Sequence, residues 1–369
     1  TNQVSMLRRR SSVWPVALLC VRPSGATPPC RNNPSTDQFS YESGSGERPW
    51  LRGSSAGHIC HIGLSVAQVN AARHWLAYAS DSTGRARAPT DAEDRALSHF
   101  HCRDGRTEVI EPLSGVARHP LAQFMNPFEC ERRYLSGCSQ CARNQHNRTA
   151  GRNLPAHYVD LFRHDRMDIS YLVLQNHCGR PRHDGRNLLY DLGCGNYSRA
   201  DGKAVDLTRG QGLGPSIPLF NALYERNCIV FDRIFAWEYI KYDPQVWWSD
   251  VPASVRGKLH FYNVPVDKEP SSSPGSFIQL LKTTATAQDF VAIKLDIDHP
   301  EIEQSIIEQI MSDPVVANLV DEVFIEIHFY FDGIDFGWGA HASQQHSVDD
   351  ALSIMHRLRQ LGIRAHFWI

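Results

Sequence analysis

No apolar run in the chain approaches the roughly 18 residues that a membrane-spanning helix needs. Lysine is absent from residues 1–186, and aspartate and glutamate are absent from residues 1–36. A net charge of only -2 excludes a strongly basic nucleic-acid binder as the first reading, so no nucleic-acid partner is expected. With 42% hydrophobic and 21% charged residues, the composition also excludes a wholly disordered or collagen-like chain. A length of 369 residues suits one domain of catalytic size plus an extension.

The charge is unevenly placed. Residues 1–186 hold 24 arginines against 16 acidic residues, a balance of +8. Residues 187–369 hold 8 arginines and 6 lysines against 24 acidic residues, a balance of -10. Eight of the ten cysteines lie in the first part. Such a shift predicts two segments with different roles, divided near Asn187.

Residues 1–118 read as an Arg/Ser/Pro-rich extension, largely irregular, with one short helix near 65–80 that Ser65 can cap. Residues 80–118 are polar. Residues 119–186 regain aromatic side chains and read as a cap packed on the following domain. Arg8, Arg9 and Arg10 precede a short apolar stretch at 13–21, as in a secretory signal. An Arg- and Ser-rich, acid-poor start fits an organellar transit peptide equally well. The compartment stays open between them, and a plain tail is the third reading. The extension is also where a protein partner would bind.

Cys130, Cys138 and Cys141, with Cys178 or His146 as a fourth ligand, could hold zinc, which needs four converging donors. Disulfides are the alternative in an oxidising compartment, and unlinked cysteines the third. Asn147 and Asn196 each begin a glycosylation acceptor triplet.

From Asn187 short apolar runs alternate with helical patterns. Strands are predicted at 188–192, 233–237, 259–264, 290–295, 322–327 and 363–369. Helices are predicted at 217–225, from 277, at 302–311 and at 348–361. This alternation predicts an α/β domain, with a mostly parallel sheet and helices on both faces. Ligands of such sheets bind beyond the carboxyl ends of the strands. The polar residues at those ends are Asp191, Gly193, Cys194, Gly195, Glu238, Asn263, Asp296, Asp298 and His328. A glycine turn directly after an apolar strand lets backbone amides approach a ligand. Glu238 suits the two hydroxyls of a ribose. A nicotinamide-dependent oxidoreductase would carry a fuller glycine pattern and a nearer acid.

The segment 187–369 resembles the class I S-adenosylmethionine-dependent methyltransferases, and within them the FkbM type. The resemblance rests on Asp191-Leu192-Gly193-Cys194-Gly195, on Ala236-Trp237-Glu238, on the run from Ile293 through Lys294, Asp296 and His299 to Glu301, and on Glu326-Ile327-His328. It covers about half the chain. Tyr197 stands where many relatives have a third glycine, and the usual seventh strand is not evident. The resemblance implies a Rossmann-like methyltransferase fold and S-adenosyl-L-methionine as cofactor. Asp191, Gly193, Cys194 and Gly195 would hold its methionine end, Glu238 its ribose, and Asn263 or Val264 would border its adenine. The acceptor would be a hydroxyl of a glycan, sugar or other small metabolite.

Methyl transfer is an in-line displacement, so the protein mainly supplies alignment. An alcohol acceptor also loses a proton, for which Asp296, His299 and His328 are candidate bases. Lys294 lies mid-strand among apolar residues and needs a carboxylate partner, with Asp296 or Glu326 on the same face. Its role is catalytic or structural. Asp296, Asp298, Glu326 and His328 could together hold a divalent cation, although oxygen-rich strand ends are common without one, and no metal is expected here. Trp237, Tyr239, Tyr242, Trp247 and Trp248 either line the acceptor pocket or pack. Residues 331–339 read as a lid. The competing reading is a methyltransferase-like scaffold or binding subunit without turnover. The catalytic reading requires the glycine bend and Glu238 to face each other across one nucleoside-sized cavity.

Overall fold

The computed structural model describes residues 40–44, 74, 77–79, 87–102, 105–113, 169, 171–180, 184–198, 205, 207, 215–269, 271, 273–327 and 348–368. The three cysteines at 130, 138 and 141, His146, Asn147, His328 and the segment 331–339 lie outside them. So does most of the short helix expected near 65–80, of which residues 74 and 77–79 are helical.

The larger unit is a six-stranded sheet. Its strands are β4 (Asn187–Leu192), β5 (Arg233–Trp237), β6 (Leu259–Tyr262), β7 (Phe290–Leu295), β8 (Glu322–Glu326) and β9 (Arg364–Trp368). They run in the spatial order β6-β5-β4-β7-β8-β9, with every neighbouring pair parallel. The order reverses between β4 and β7, so the crevice of an open α/β sheet falls at their carboxyl ends. β4 and β7 are buried almost throughout, as central parallel strands covered on both faces must be.

Side chains alternate between two apolar clusters. Leu188, Tyr190 and Leu192 of β4 join Val291, Ile293 and Leu295 of β7 on one face. That face is covered by α5 (Phe277–Thr284), α6 (Pro300–Ser312), α7 (Pro314–Ala317) and α8 (Val348–Gln360). In α8 the buried residues Ala351, Leu352, Met355 and Leu358 recur at helical spacing. Leu189, Ile234, Ala236, Ala292 and Phe324 face the other side, under α2 (Ser216–Arg226), α3 (Pro244–Ser249) and α4 (Ala253–Arg256). Helices on both faces are therefore present, as the strand-helix alternation predicts.

The second face is completed from the N-terminal half. Ile169, Tyr171, Leu172 and Val173 pack into the same cluster. Buried carboxylates hold this segment by its backbone: Val173 N–H donates to Glu111 at 3.0 Å, and Gln175 N–H to Glu322 at 3.0 Å. Tyr171 donates its hydroxyl to the carbonyl of Phe367 in β9. Residues 169 and 171–175 are thus held against the sheet.

The polar stretch 80–118 departs from its irregular reading. It contains α1 (Asp91–Ala96), β2 (Ser98–His101) and β3 (Thr107–Ile110), and with β1 (Ser40–Glu42) these strands form an antiparallel sheet. Its charged residues misled the sequence reading because they are buried in pairs. Arg359 of α8, 1% exposed, donates to Tyr41 Oη, to the Glu111 carbonyl and to the Ala365 carbonyl. Among the described residues no helix is long and apolar enough to cross a membrane.

Candidate functional site

At the carboxyl end of β4 the chain turns back through Gly193 (φ +89°) and Gly195 (φ +63°). Both angles lie in the left-handed region that side chains resist. Gly193 also passes so close to β7 that an added Cβ would stand 1.7 Å from the Asp296 carbonyl oxygen. The bend is tied to the neighbouring strand, since Gly193 and Cys194 both donate their N–H groups to the Trp237 carbonyl, at 3.0 and 2.9 Å.

Glu238 follows β5. Its Oε2 accepts the Gly195 N–H at 2.8 Å, and its Oε1 accepts the Ile240 N–H at 2.7 Å. The bend and the carboxylate therefore adjoin, in direct contact and not across an open gap as expected. Glu238 is 8% exposed. Each oxygen takes one amide and keeps a second lone pair for another donor.

Asn263 is engaged differently from the sequence reading. Its amide nitrogen donates to the carbonyls of Glu238 (2.8 Å) and Ile240 (2.6 Å), and its Oδ1 accepts the Tyr242 N–H at 2.9 Å. The side chain pins the loop that carries Glu238 and has little left for an adenine. Val264 is half-buried and packs on the core.

Asp191 is fully buried, so its side chain does not reach a ligand at the surface of the bend. Its Oδ2 accepts the Ser216 hydroxyl at 2.5 Å, joining the end of β4 to the start of α2. Its Oδ1 has no hydrogen-bond donor, but lies 3.7 Å from the Lys294 ammonium. Burial pushes the Asp191 carboxyl above its usual range, partly opposed by Lys294. It does not cap α2 in the ordinary sense, because no side chain caps that helix. Cys194 is buried with a free thiol, which burial and the nearby carboxylates Asp191 and Glu238 raise well above the usual value.

Lys294, 2% exposed, is the hub on the β7 side. Its ammonium donates to the Gly193 carbonyl at 2.6 Å and pairs with Asp296 at 2.9 Å. Burial alone would lower its pKa, but Asp296 and Asp191 outweigh burial and the net shift is upward. Lys294 is thus a fixed cation that positions the bend, with Asp296 as the anticipated partner. These contacts are structural, one of the two roles the sequence leaves open for Lys294.

Asp296 also accepts the indole N–H of Trp368, the last residue of β9, at 3.2 Å. Its carboxylate, with those of exposed Asp298 and half-buried Glu326, has oxygens within 4.8 Å of one another. Asp298 has φ +55°, unusual for a residue other than glycine. The anticipated acidic grouping is therefore real in three of its four members, and the fourth, His328, is outside the described residues. His299 is exposed at the start of α6, and its side chain makes no capping bond.

Most of the aromatic group packs. Trp237 and Trp247 are 0% and 2% exposed, while Tyr239 is 74% exposed beside Glu238. Trp247 stacks on Phe261 and donates its indole N–H to the Gly195 carbonyl at 3.2 Å. Tyr197, in place of a third glycine, keeps a negative φ and packs edge-on against Trp247, so the backbone there needs no glycine.

Two contacts were hidden from the sequence. Ser216 and Trp368 each hold a site carboxylate, and neither belongs to a motif. The zinc role offered to Cys178 is also corrected: it forms a disulfide with Cys228, which excludes a thiolate ligand. Compared with known protein families, curated proteins and solved structures, the chain matches none.

Proposed function

We propose that residues 187–369 form an S-adenosylmethionine-dependent methyltransferase of the FkbM-like kind, with a Rossmann-like methyltransferase fold. Its acceptor is a hydroxyl on a sugar or small metabolite. The observation that carries this reading is the contact of Gly195 N–H with Glu238, which sets a glycine bend and a ribose-type acid side by side at the carboxyl ends of adjacent parallel strands.

The residues present fit such a cofactor in part. Glu238 retains one lone pair on each oxygen for a ribose diol, whereas the amides of Gly193, Cys194 and Gly195 are already spent within the fold. Asp191, being sealed, acts through Lys294 and Ser216 and not on the ligand. When bound, the cofactor supplies an electrophilic methyl group. The chain then has to orient an acceptor oxygen and take its proton. Asp296 is held by Lys294 and Trp368, which fix its carboxylate where it could orient a hydroxyl. His299, three residues on and exposed, is the other base the sequence offers here.

Calorimetry with S-adenosylmethionine tests the reading. Micromolar binding that Glu238→Ala abolishes supports it. The sealing of Asp191 favours the second reading, a methyltransferase-like binding or scaffold subunit, and absence of heat at high ligand concentration would select that one.

A further inference from the structure

At the amino-terminal ends of the strands lies a cavity of about 300 Å³. It opens between the N-terminal segments and the last turn of α2, and Arg364, the first residue of β9, lies in its wall. The six residues of β4 place it about 20 Å from the glycine bend. It is therefore separate from the site above and independent of the methyltransferase reading.

The lining combines apolar side chains, Leu174, Leu207 and Leu223 among them, with cationic ones. Four arginines (Arg87, Arg180, Arg226 and Arg364) face a single acid, Glu108. That acid is already engaged: Arg180 donates to it at 2.8 Å, and Arg106 and Gln175 at 3.3 Å. Arg87 is paired with Glu93 by two bonds of 2.8 Å. Arg364, 4% exposed, is occupied too: one nitrogen donates to the carbonyls of Val109 and Val173, and the others stand 3.7 Å from Glu108 and 3.6 Å from Glu322. The remaining capacity sits on Arg226, exposed at the rim, for which no carboxylate partner is found among the described residues.

The wall is also fastened. Cys178 lines the cavity, and its disulfide to Cys228 ties the 171–180 segment to the residues just after α2. A cavity held open covalently loses less entropy when a ligand enters.

We propose that this cavity is a second binding site, for a small amphipathic anion: an acidic head held by Arg226 at the rim, on a short apolar body lying along Leu174, Leu207 and Leu223. Its size is at the lower end of small-molecule pockets, which limits the body to a short chain or a single ring.

The test titrates the full chain with octanoate, octyl phosphate and octanamide, followed by calorimetry and by the shift in melting temperature. At least one of the two anions is expected to bind saturably, and their ranking identifies the head group as carboxylate or phosphate. Octanamide is expected to bind at least tenfold more weakly. Arg226→Gln, a change at an exposed position, should weaken the preferred anion about tenfold while the melting temperature of the free protein stays unchanged. The double variant Cys178→Ser/Cys228→Ser should weaken it further. The proposal is overturned if neither anion binds at millimolar concentration, if octanamide binds as well as the anions, or if Arg226→Gln binds as tightly as the parent chain.

Discussion

The ammonium of Lys294 rests 2.6 Å from the carbonyl oxygen of Gly193, linking the centre of β7 to the bend after β4. The same nitrogen neutralises Asp296 at 2.9 Å and stands 3.7 Å from Asp191. Replacing Lys294 with Met removes one cation and leaves two carboxylates uncompensated, one of them fully buried. Breaking a buried pair from one side costs about 3–5 kcal/mol. Urea denaturation of Lys294→Met is expected to show a loss of that size. A loss below about 1 kcal/mol would mean that the Lys294 interactions contribute little to the fold.

Gly193 gives a sharper test of the bend. Ala at this position combines a left-handed φ of +89° with a Cβ placed 1.7 Å from backbone oxygen. No rotamer relieves a backbone clash, so β4 and β7 must separate. Gly193→Ala is expected to destabilise by more than about 2 kcal/mol and to abolish S-adenosylmethionine binding. Gly195→Ala also meets a left-handed φ, of +63°, a penalty of about 1 kcal/mol. A melting temperature of Gly193→Ala equal to that of the parent chain would contradict the close approach at Gly193.

The architecture was legible from residue 187 onward because its strands are covered on both faces. The runs 233–237 and 290–295 read as continuous apolar segments, and both strands have those bounds. The short helices α3, α4 and α7 were not legible, since four to six residues show no helical period. Within the site, the order of motifs revealed which residues gather at the strand ends. It did not reveal how they are used. Asn263 matches an adenine-bordering position yet spends its amide on the Glu238 loop, a choice set by backbone carbonyls 23 to 25 residues away. The small sheet β1-β2-β3 escaped because Glu108 and Glu111 look like surface acids until Arg359, Arg364 and His366, about 255 residues on, cover them.

His366 is the centre of that covered network. Its Nδ1 meets Glu111 at 2.5 Å and its Nε2 meets Glu322 at 2.8 Å, with no exposure to solvent. Arg359 and Arg364 lie beside the same carboxylates, and Tyr224 donates to Glu322 at 2.7 Å. Burial would lower the imidazole pKa, but the two carboxylates outweigh it and raise it. A raised histidine contributes stability that is complete below its unfolded value of about 6.5 and is lost as pH rises through the folded value. Burial would raise Glu322, but His366 and Arg364 outweigh it, so its pKa is lowered. Its contribution is complete above about 4.3 and is lost as pH falls through the folded value. Denaturation midpoints of the parent chain should therefore fall on both sides of a plateau between about pH 4.3 and 6.5. In His366→Gln the alkaline fall attributable to the imidazole should vanish. Parallel alkaline limbs for the two proteins would show that His366 is not protonated in the fold.

The Cys178–Cys228 disulfide spans 50 residues and joins the segment that caps the sheet to the end of α2. Closing a loop of that length removes entropy from the unfolded chain worth about 4 kcal/mol at most, with about 2–4 typical. The double variant Cys178→Ser/Cys228→Ser is expected to lose that amount in denaturant unfolding. The loss should be local in its structural effect, because the bend at Gly193 is anchored by β5 and β7 and not by the cap. Hydrogen exchange separates the two ends of the molecule. Amides at Val173 and Gln175, held by Glu111 and Glu322, should exchange faster in the variant, while those of Gly193 and Cys194 keep their protection. Faster exchange at both places would mean that cap and strand ends open as one unit.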